Sequence, residues 1–350
     1  DMSFLNSRLN FTGDYFIRDT EGMLAKSYVL PSVFGAKEPK ENCADLRTKG
    51  WELSLNWNDS FALMGKRFNY TVSASLGDNK TVITKYNNPE KLLTDYYEGM
   101  VLGEIWGYRV DGLFTSDEEA TEYTSKINQD FVNARILSDK VDPYYRAGDL
   151  KFRDLDNNNV INKGDDTVYD PGDREIIGNE TPRYNYSFRL GADWNGFDLG
   201  IFFQGVGKRD WYPNHLSTGF WGPYSRAFTS FIPENFMDQC WSEENPGGYF
   251  PRFRGYQTFK DSQLGVNNDR YLQNASYIRL KNLTVGYTLP VLKKVFTKLR
   301  VYFTGENLWY WSPMKKYTKY IDPEAAGGNG NTGMAYNYSR NFSVGVDITF

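Results

Sequence analysis

"RYNYSFRLGADWNGFDLGIFFQG", residues 183–205, is the stretch on which the fold turns. Tyr184, Tyr186, Phe188, Leu190, Ala192 and Trp194 alternate with Asn185, Ser187, Arg189, Gly191 and Asp193. A period of two belongs to an extended strand, whose successive side chains point to opposite faces. Asn195-Gly196 then supplies a two-residue turn, because both residues accept the positive φ of a type I′ hairpin. Phe197, Leu199, Ile201 and Phe203 carry the apolar face back along the return strand. The pattern recurs at 9–17, 51–57, 68–76, 283–289 and 299–303. It closes the chain in "NFSVGVDITF", 341–350, where Phe342, Val344, Val346, Ile348 and Phe350 share one side.

Composition agrees with strands. The 350 residues hold 26 Tyr, 24 Phe, 9 Trp and 32 Gly, so aromatic residues and glycine outweigh what a helical chain carries. A formal net charge of −4 and the lack of a basic run give no sign of a nucleic-acid partner. No apolar run approaches the ~20 residues of a membrane helix. No signal peptide is visible, since Asp1 opens directly into an alternating segment, as a mature product or a fragment would. Cys43 and Cys240 are too few for a disulfide framework; two thiols are the plainer reading and one bridge the alternative.

The connections fall into two classes. Short ones span 59–67, 195–196 and 290–298; long, polar ones span 19–46, 78–182, 207–274 and 310–336. Along the chain they alternate. A soluble sandwich has no reason to sort its loops by end, whereas an outer-membrane barrel places short turns in the periplasm and long loops outside. This predicts an all-β transmembrane antiparallel barrel with long extracellular loops, of which residues 1–350 supply eight strands with Asp1 at the periplasmic end. Parity requires 78–182 to be one excursion, although "EIWGYRVDGLF" (104–114) inside it reads as a strand of a hairpin outside the membrane. Loops this large on an eight-stranded ring favour a larger barrel missing its first part. A terminal Phe350 fits the signal by which barrel-assembly machinery recognises its clients.

Several motifs then carry a resemblance. "GDLKFRDLDNNNVINKGDDTVYDPGDREIIGNETPRYNYSFRLGADWNGFDLGIFFQGVGKRDWYP" (148–213), "NCADLRTKGWELSLNW" (42–57) and "CWSEENPGGYFPRF" (240–253) resemble the SusC/RagA branch of TonB-dependent outer-membrane transporters. So do "YIRLKNLTVGYTLP" (277–290), "GENLWYW" (305–311), "IDPEAA" (321–326) and the terminal "FSVGVDITF". The resemblance implies a 22-stranded barrel around a plug domain, of which this chain is the C-terminal part of about eight strands. The plug, the TonB box and about fourteen strands would lie upstream, absent from this chain. It further implies a SusD-like surface lipoprotein as lid, a TonB–ExbB–ExbD complex as energy source, and import of an oligosaccharide or a peptide. The setting it implies is the cell outer membrane of a Gram-negative bacterium, with membrane lipid around the wall.

Among motifs that carry chemistry, "DLDNNNVINKGD" (154–165) matches a twelve-residue calcium loop. Asp154, Asp156, Asn158, the Val160 carbonyl, Asn162 and Asp165 fall at positions 1, 3, 5, 7, 9 and 12. Asn159 replaces the usual glycine and must take the left-handed conformation. Asp165 is a shorter arm than the usual glutamate. The alternative is an Asx-rich turn held by its own backbone. No cofactor is required; a structural calcium is the one candidate.

Trp211, Tyr212, His215, Phe220, Trp221 and Tyr224 make "RDWYPNHLSTGFWGPYSRAF" (209–228) an aromatic loop able to pack on itself, meet the lid lipoprotein or stack on substrate. His215 is the only histidine, which leaves no catalytic triad or His metal motif, and no enzyme is expected. Gly328, Gly330 and Gly333 satisfy G-x-G-x-x-G by chance, in a loop before a strand. Arg189, Asp193, Asp198, Gln204, Arg300 and Glu306 fall on the polar, lumenal side, where they solvate the interior or touch plug or solute. Two other classes stay open at this point: a passive porin or adhesin barrel, and a soluble β-sandwich carbohydrate-binding module.

Overall fold

The structure is a computed structural model; it describes residues 1–26, 35, 40–228, 230, 232, 234–290, 297–327 and 336–350. Nine strands form one antiparallel sheet in strict chain order. They are β1 (Met2–Phe4), β2 (Leu9–Lys26), β3 (Lys40–Leu63), β4 (Lys66–Lys85), β5 (Arg183–Trp194), β6 (Phe197–Lys208), β7 (Tyr277–Leu289), β8 (Lys298–Trp311) and β9 (Asn341–Thr349). Eight of them are the eight expected. The ninth, β1, corrects the count: it pairs with the start of β2 through a turn in which Leu5, Asn6 and Ser7 all have positive φ. The order is linear, β1 and β9 being its two edges, so the sheet is open rather than a closed eight-stranded ring.

Register divides the sheet into two faces. Cross-strand partners put their side chains on the same side, so a row can be followed from strand to strand. Phe11, Leu55, Ala74, Phe188, Phe203, Leu280 and Trp309 form one such row over β2 to β8. The adjacent row is Thr12, Ser54, Ser75, Ser187, Gln204, Arg279 and Tyr310. One face is apolar and the other polar across the whole width. Short hydrogen bonds knit the polar side: Ser75 Oγ to Ser187 Oγ at 2.7 Å, and Asn69 Nδ2 to Asp193 Oδ2 at 2.7 Å. Arg300 reaches Asp198 at 2.7 Å and Asp347 at 2.9 Å. It passes over Gly286, where an added Cβ would lie 2.5 Å from Asp198 Oδ1.

Among the described residues, nothing of the protein lies upon the apolar face. Val285, Phe303 and Val344 are 44%, 37% and 76% exposed. Near the short turns it gathers rings: Phe61 and Phe68 lie 5.0 Å apart, Phe197 and Tyr287 4.5 Å. Trp194 Nε1 donates to the Leu63 carbonyl at 3.2 Å beside them. Rings at the edge of an apolar band are what a membrane interface selects. No described helix is long and apolar enough to cross a membrane.

The turns at one end are tight, Met64-Gly65 and Asn195-Gly196 having all four φ values positive. Residues 291–296, in the expected 290–298 turn, lie outside the described residues, as does the G-x-G-x-x-G match at 328–333. The first two long connections are shorter than expected, because strands run on past their apolar parts, while the last two are displaced along the chain rather than shortened. β2 and β3 continue to Lys26 and from Lys40, so 19–46 contracts to 27–39. The excursions become 86–182, 209–276 and 312–340. Within the first, 104–114 is two strands, Glu104–Tyr108 and Val110–Leu113, which pair with Arg174–Asn179 and Leu150–Phe152 apart from the main sheet. Helix α1 (Asp117–Lys126) was not expected there; Ser116 Oγ caps it by accepting from Glu119 N at 3.1 Å.

The excursions fold together. Tyr108 N donates to Asn267 O at 2.9 Å, and buried Asp149 meets Arg254 at 3.0 Å. Between them lies a dry aromatic core that includes Trp221, Tyr224, Phe250 and Tyr271, each 0% exposed.

Candidate functional site: an acidic turn, an aromatic core and a polar cleft

The acidic turn is built by Asx residues accepting from their own backbone. Asp154 Oδ1 and Oδ2 accept from Asn157 N at 2.8 Å and Asn159 N at 2.9 Å, and Asn158 Oδ1 accepts from Val160 N at 2.7 Å. Asn159 has φ 65°, the left-handed value that the missing glycine demands. Asn162 Nδ2 donates to the Val160 carbonyl at 3.1 Å.

Three carboxylates converge, but they are not the three that the twelve-residue spacing selects. Asp154, Asp156 and Asp173 bring one oxygen each within 4.8 Å of one another. Asp165 is elsewhere: its backbone N–H donates to Asp170 Oδ2 at 3.2 Å. Asp173 is fully buried and accepts from Leu155 N and Asn162 N, both at 2.8 Å. Burial raises its carboxyl above the usual range, the two N–H groups oppose this, and Asp156 and Asp154 push it further up. Among the described residues, none of the three is in a salt bridge. The missed residue had a signal in "YDPGD" (169–173), a second Asx-rich turn that folds back onto the first.

Of the aromatic loop, Trp211, Phe220, Trp221 and Tyr224 are buried in the core shared by the excursions. Phe220 and Trp221 meet edge-on at 4.7 Å, Tyr224 stacks on Phe250 at 5.7 Å, and Tyr224 OH donates to the Pro251 carbonyl at 2.6 Å. Tyr212 is half-buried and donates to the Val266 carbonyl at 2.8 Å. His215 is exposed; its carbonyl accepts from Ser225 Oγ at 2.6 Å and Thr258 Oγ1 at 3.0 Å. Cys240 is buried in the same core and is not bonded to Cys43.

Tyr212 and His215 open onto a polar cleft of about 470 Å3 between the first two excursions. Glu104, Trp106, Arg174 and Glu180 line its other side. Glu104 is held there by Tyr97 OH at 2.5 Å and Val101 N at 2.9 Å, and Arg174 by Asp166 at 2.6 Å. The cleft presents both charges, amides and rings, a set suited to a polar solute, and no nucleophile–base pair is formed around His215 among the described residues.

Comparison with known proteins bears on this arrangement. No family model matches the chain. It is 27% identical over 379 residues to TonB-dependent receptor P3 of Formosa agariphila, covering 100% of this chain and 33% of that receptor. It is 22% identical over 361 residues to TonB-dependent receptor SusC of Bacteroides thetaiotaomicron, covering 100% of this chain and 31% of SusC. Among solved structures, the RagAB peptide transporter superposes with a TM-score of 0.66 at 21% identity, over 99% of this chain and 34% of the other. The RagAB peptide importer in its closed-closed state gives 0.65 at 22%. The chain thus spans about a third of the length of the curated relatives it matches. Its open sheet is the counterpart of part of a TonB-dependent receptor barrel, and the chain is a distant homologue of the SusC/RagA-type TonB-dependent receptors.

Proposed function

We propose that this chain is the lumen-lining wall and part of the external loop assembly of a SusC/RagA-type importer in the outer membrane of a Gram-negative bacterium. The observation that carries the reading is the two-faced sheet: an uncovered apolar face ringed by aromatics, and a continuous polar face behind it. Water penalises the first and hydrocarbon the second, so the sheet fits a boundary between lipid and a wet lumen. In this reading the complete barrel has 22 strands around a plug, the TonB–ExbB–ExbD complex supplies energy, and a SusD-like lipoprotein closes the mouth. The solute is an oligosaccharide or a peptide, and the polar cleft at His215 is its first contact on these loops. The chain carries no catalytic role in this reading.

The test is native mass spectrometry of the protein purified in mild detergent from its own outer membranes. A component of roughly three times the 40.4 kDa of this chain, carrying a lipoprotein, is the expected outcome; the 33% coverage of its relative supports the mass. A bare 40.4 kDa species without a partner would overturn the importer and favour a porin or adhesin.

We propose further that Asp154, Asp156 and Asp173 hold a structural calcium ion, with Asn158 and the Val160 carbonyl nearby. Calcium favours several oxygen ligands and suits three carboxylates with no cation of their own. Calorimetric titration of the complete receptor with calcium chloride should give a binding isotherm weakened roughly tenfold or more in Asp156→Ala. Asp165→Ala should leave it unchanged. Absence of binding in the parent would return the turn to its own backbone bonds.

A further inference from the structure

Arg279 is buried where its neighbours are not. In its row on the polar face, Ser54, Ser75 and Gln204 are exposed, yet Arg279 is 1% exposed. Something must lie over it. That cover is the last long connection, which leaves β8 and turns back so that Asp322, 2% exposed, pairs with the Arg279 guanidinium. Arg279 Nε lies 3.1 Å from Glu324 Oε2 as well. Lys281, beside the bulge in β7, donates to both oxygens of Glu324 at 2.8 Å. From the end of β6, Arg209 Nη1 donates to the Pro323 carbonyl at 3.3 Å. Tyr310 and Tyr338 place their rings 4.7 and 5.1 Å from the guanidinium.

The segment is attached differently on its other side. Ile321 and Ala326 are buried in the aromatic core of the loop assembly. Residues 321–326 thus join an apolar core to a polar wall, and among the described residues every side-chain bond between them and the wall is ionic or charge-assisted. Such bonds are all-or-none here. A buried pair in good geometry is satisfied, but removing either partner strands a desolvated charge, so intermediate positions are disfavoured.

We propose that residues 321–326 form an ion-latched strap, closed over the lumenal mouth of β7 and β8 by Arg279–Asp322 and Lys281–Glu324. Closed, the strap seats the loop assembly on the wall; open, it bares Arg279 and Lys281 to the lumen and clears that side of the mouth. The strap rests on the polar face being a lumen, as argued above.

The test uses the complete receptor in its own outer membrane, with hydrogen exchange read by mass spectrometry. In the parent the amides of Ala325 and Ala326, bonded to the Asp322 carbonyl at 3.0 and 2.9 Å, should exchange slowly. In Asp322→Asn they should exchange at least about tenfold faster while β8 amides keep their protection, and Lys281 should acetylate faster with an impermeant reagent. Arg279→Lys keeps the charge, loses the fork and should fall between; it also serves if Asp322→Asn fails to assemble. Unchanged protection of the strap in both variants would overturn the latch and leave its apolar ends as the sole attachment. A separate reporter isolates the lumen itself. Gln204→Cys, uncovered on the same row, should react with an aqueous maleimide in every variant, and its failure to react would overturn the lumen reading rather than the latch.

Discussion

Phe303 in the wall and Phe250 in the loop assembly are both phenylalanines on strands, yet the first is 37% exposed and the second 0%. Around Phe250 the chain supplies its own dry surroundings: Tyr224, Phe236 and Tyr271 stack on it at 5.7, 5.1 and 5.9 Å. Around Phe303 it supplies Val285 and Val344 as cross-strand neighbours and, among the described residues, nothing above them. The loop assembly excludes water as a soluble domain does. The wall leaves that task to its surroundings, which in the proposed function are lipid rather than water. One chain thus holds two kinds of stability, and substitutions should tell them apart.

The largest effect belongs to the loop core. Phe250→Ala leaves a cavity among rings and should cost about 3–5 kcal/mol, read from denaturant unfolding of the loops by tryptophan fluorescence. If Phe303→Ala cost as much in the same assay, the two regions would not differ in kind. Next comes the wall. Val285→Arg should cost ~2–4 kcal/mol in a folding titration into lipid vesicles, whereas Thr304→Arg, on the polar face, should cost clearly less. Equal costs would mean that the faces are assigned the wrong way round.

The smallest effect sharpens the contrast through pH. Glu119 accepts from Lys151 Nζ at 2.8 Å and from Thr115 N and Oγ1 at 2.7 and 2.6 Å. The Lys151 ammonium, with the Thr115 bonds, pushes its carboxyl down to about 2 from 4.5. The folded pKa is depressed, so the stabilisation is present above 4.5 and is lost as pH falls toward about 2. Glu119→Gln should cost roughly 1 kcal/mol at neutral pH and flatten the acid limb of loop unfolding. An unchanged acid limb would show that the bond is not made in solution.

Much of this was legible in the alternation. Phe188 and Phe203 share a face because each sits an even number of residues along its own strand from the pair Trp194 and Phe197 that flanks Asn195-Gly196, and that arithmetic needs no structure. Strand length was not legible. From Arg18 to Glu21 the side chains of β2 are polar on both faces, and pairing continues through contacts such as Arg47 Nε to Asp19 at 2.7 Å, which period-two patterning cannot register. Helix α1 was equally obscured, because its ten residues hold one buried position, Ala120, and too little apolar periodicity to read.

The acidic turn shows a different limit. A ligand template assumes contiguous chain, so it selected Asp165, while the fold brought Asp173 in from the next turn. Arg279 and Asp322 are the same case at longer range. Each looks like a solvated charge in its own segment, and only the return of the last connection makes them partners.

The ring-bearing row Phe61, Phe68, Trp194, Phe197 and Tyr287 has one consequence of scale. Indole and phenol rings settle where acyl chains give way to headgroups, so the row marks a depth as well as a side. Strands climb about 3.3 Å per residue, and the row serves as the zero of a ruler engraved on the wall. Adding two residues to one strand above that zero would keep every side chain on its proper face, yet displace the strand's outer end by about 7 Å. The sheet would still read as two-faced, and it would no longer fit the thickness of the membrane proposed for it.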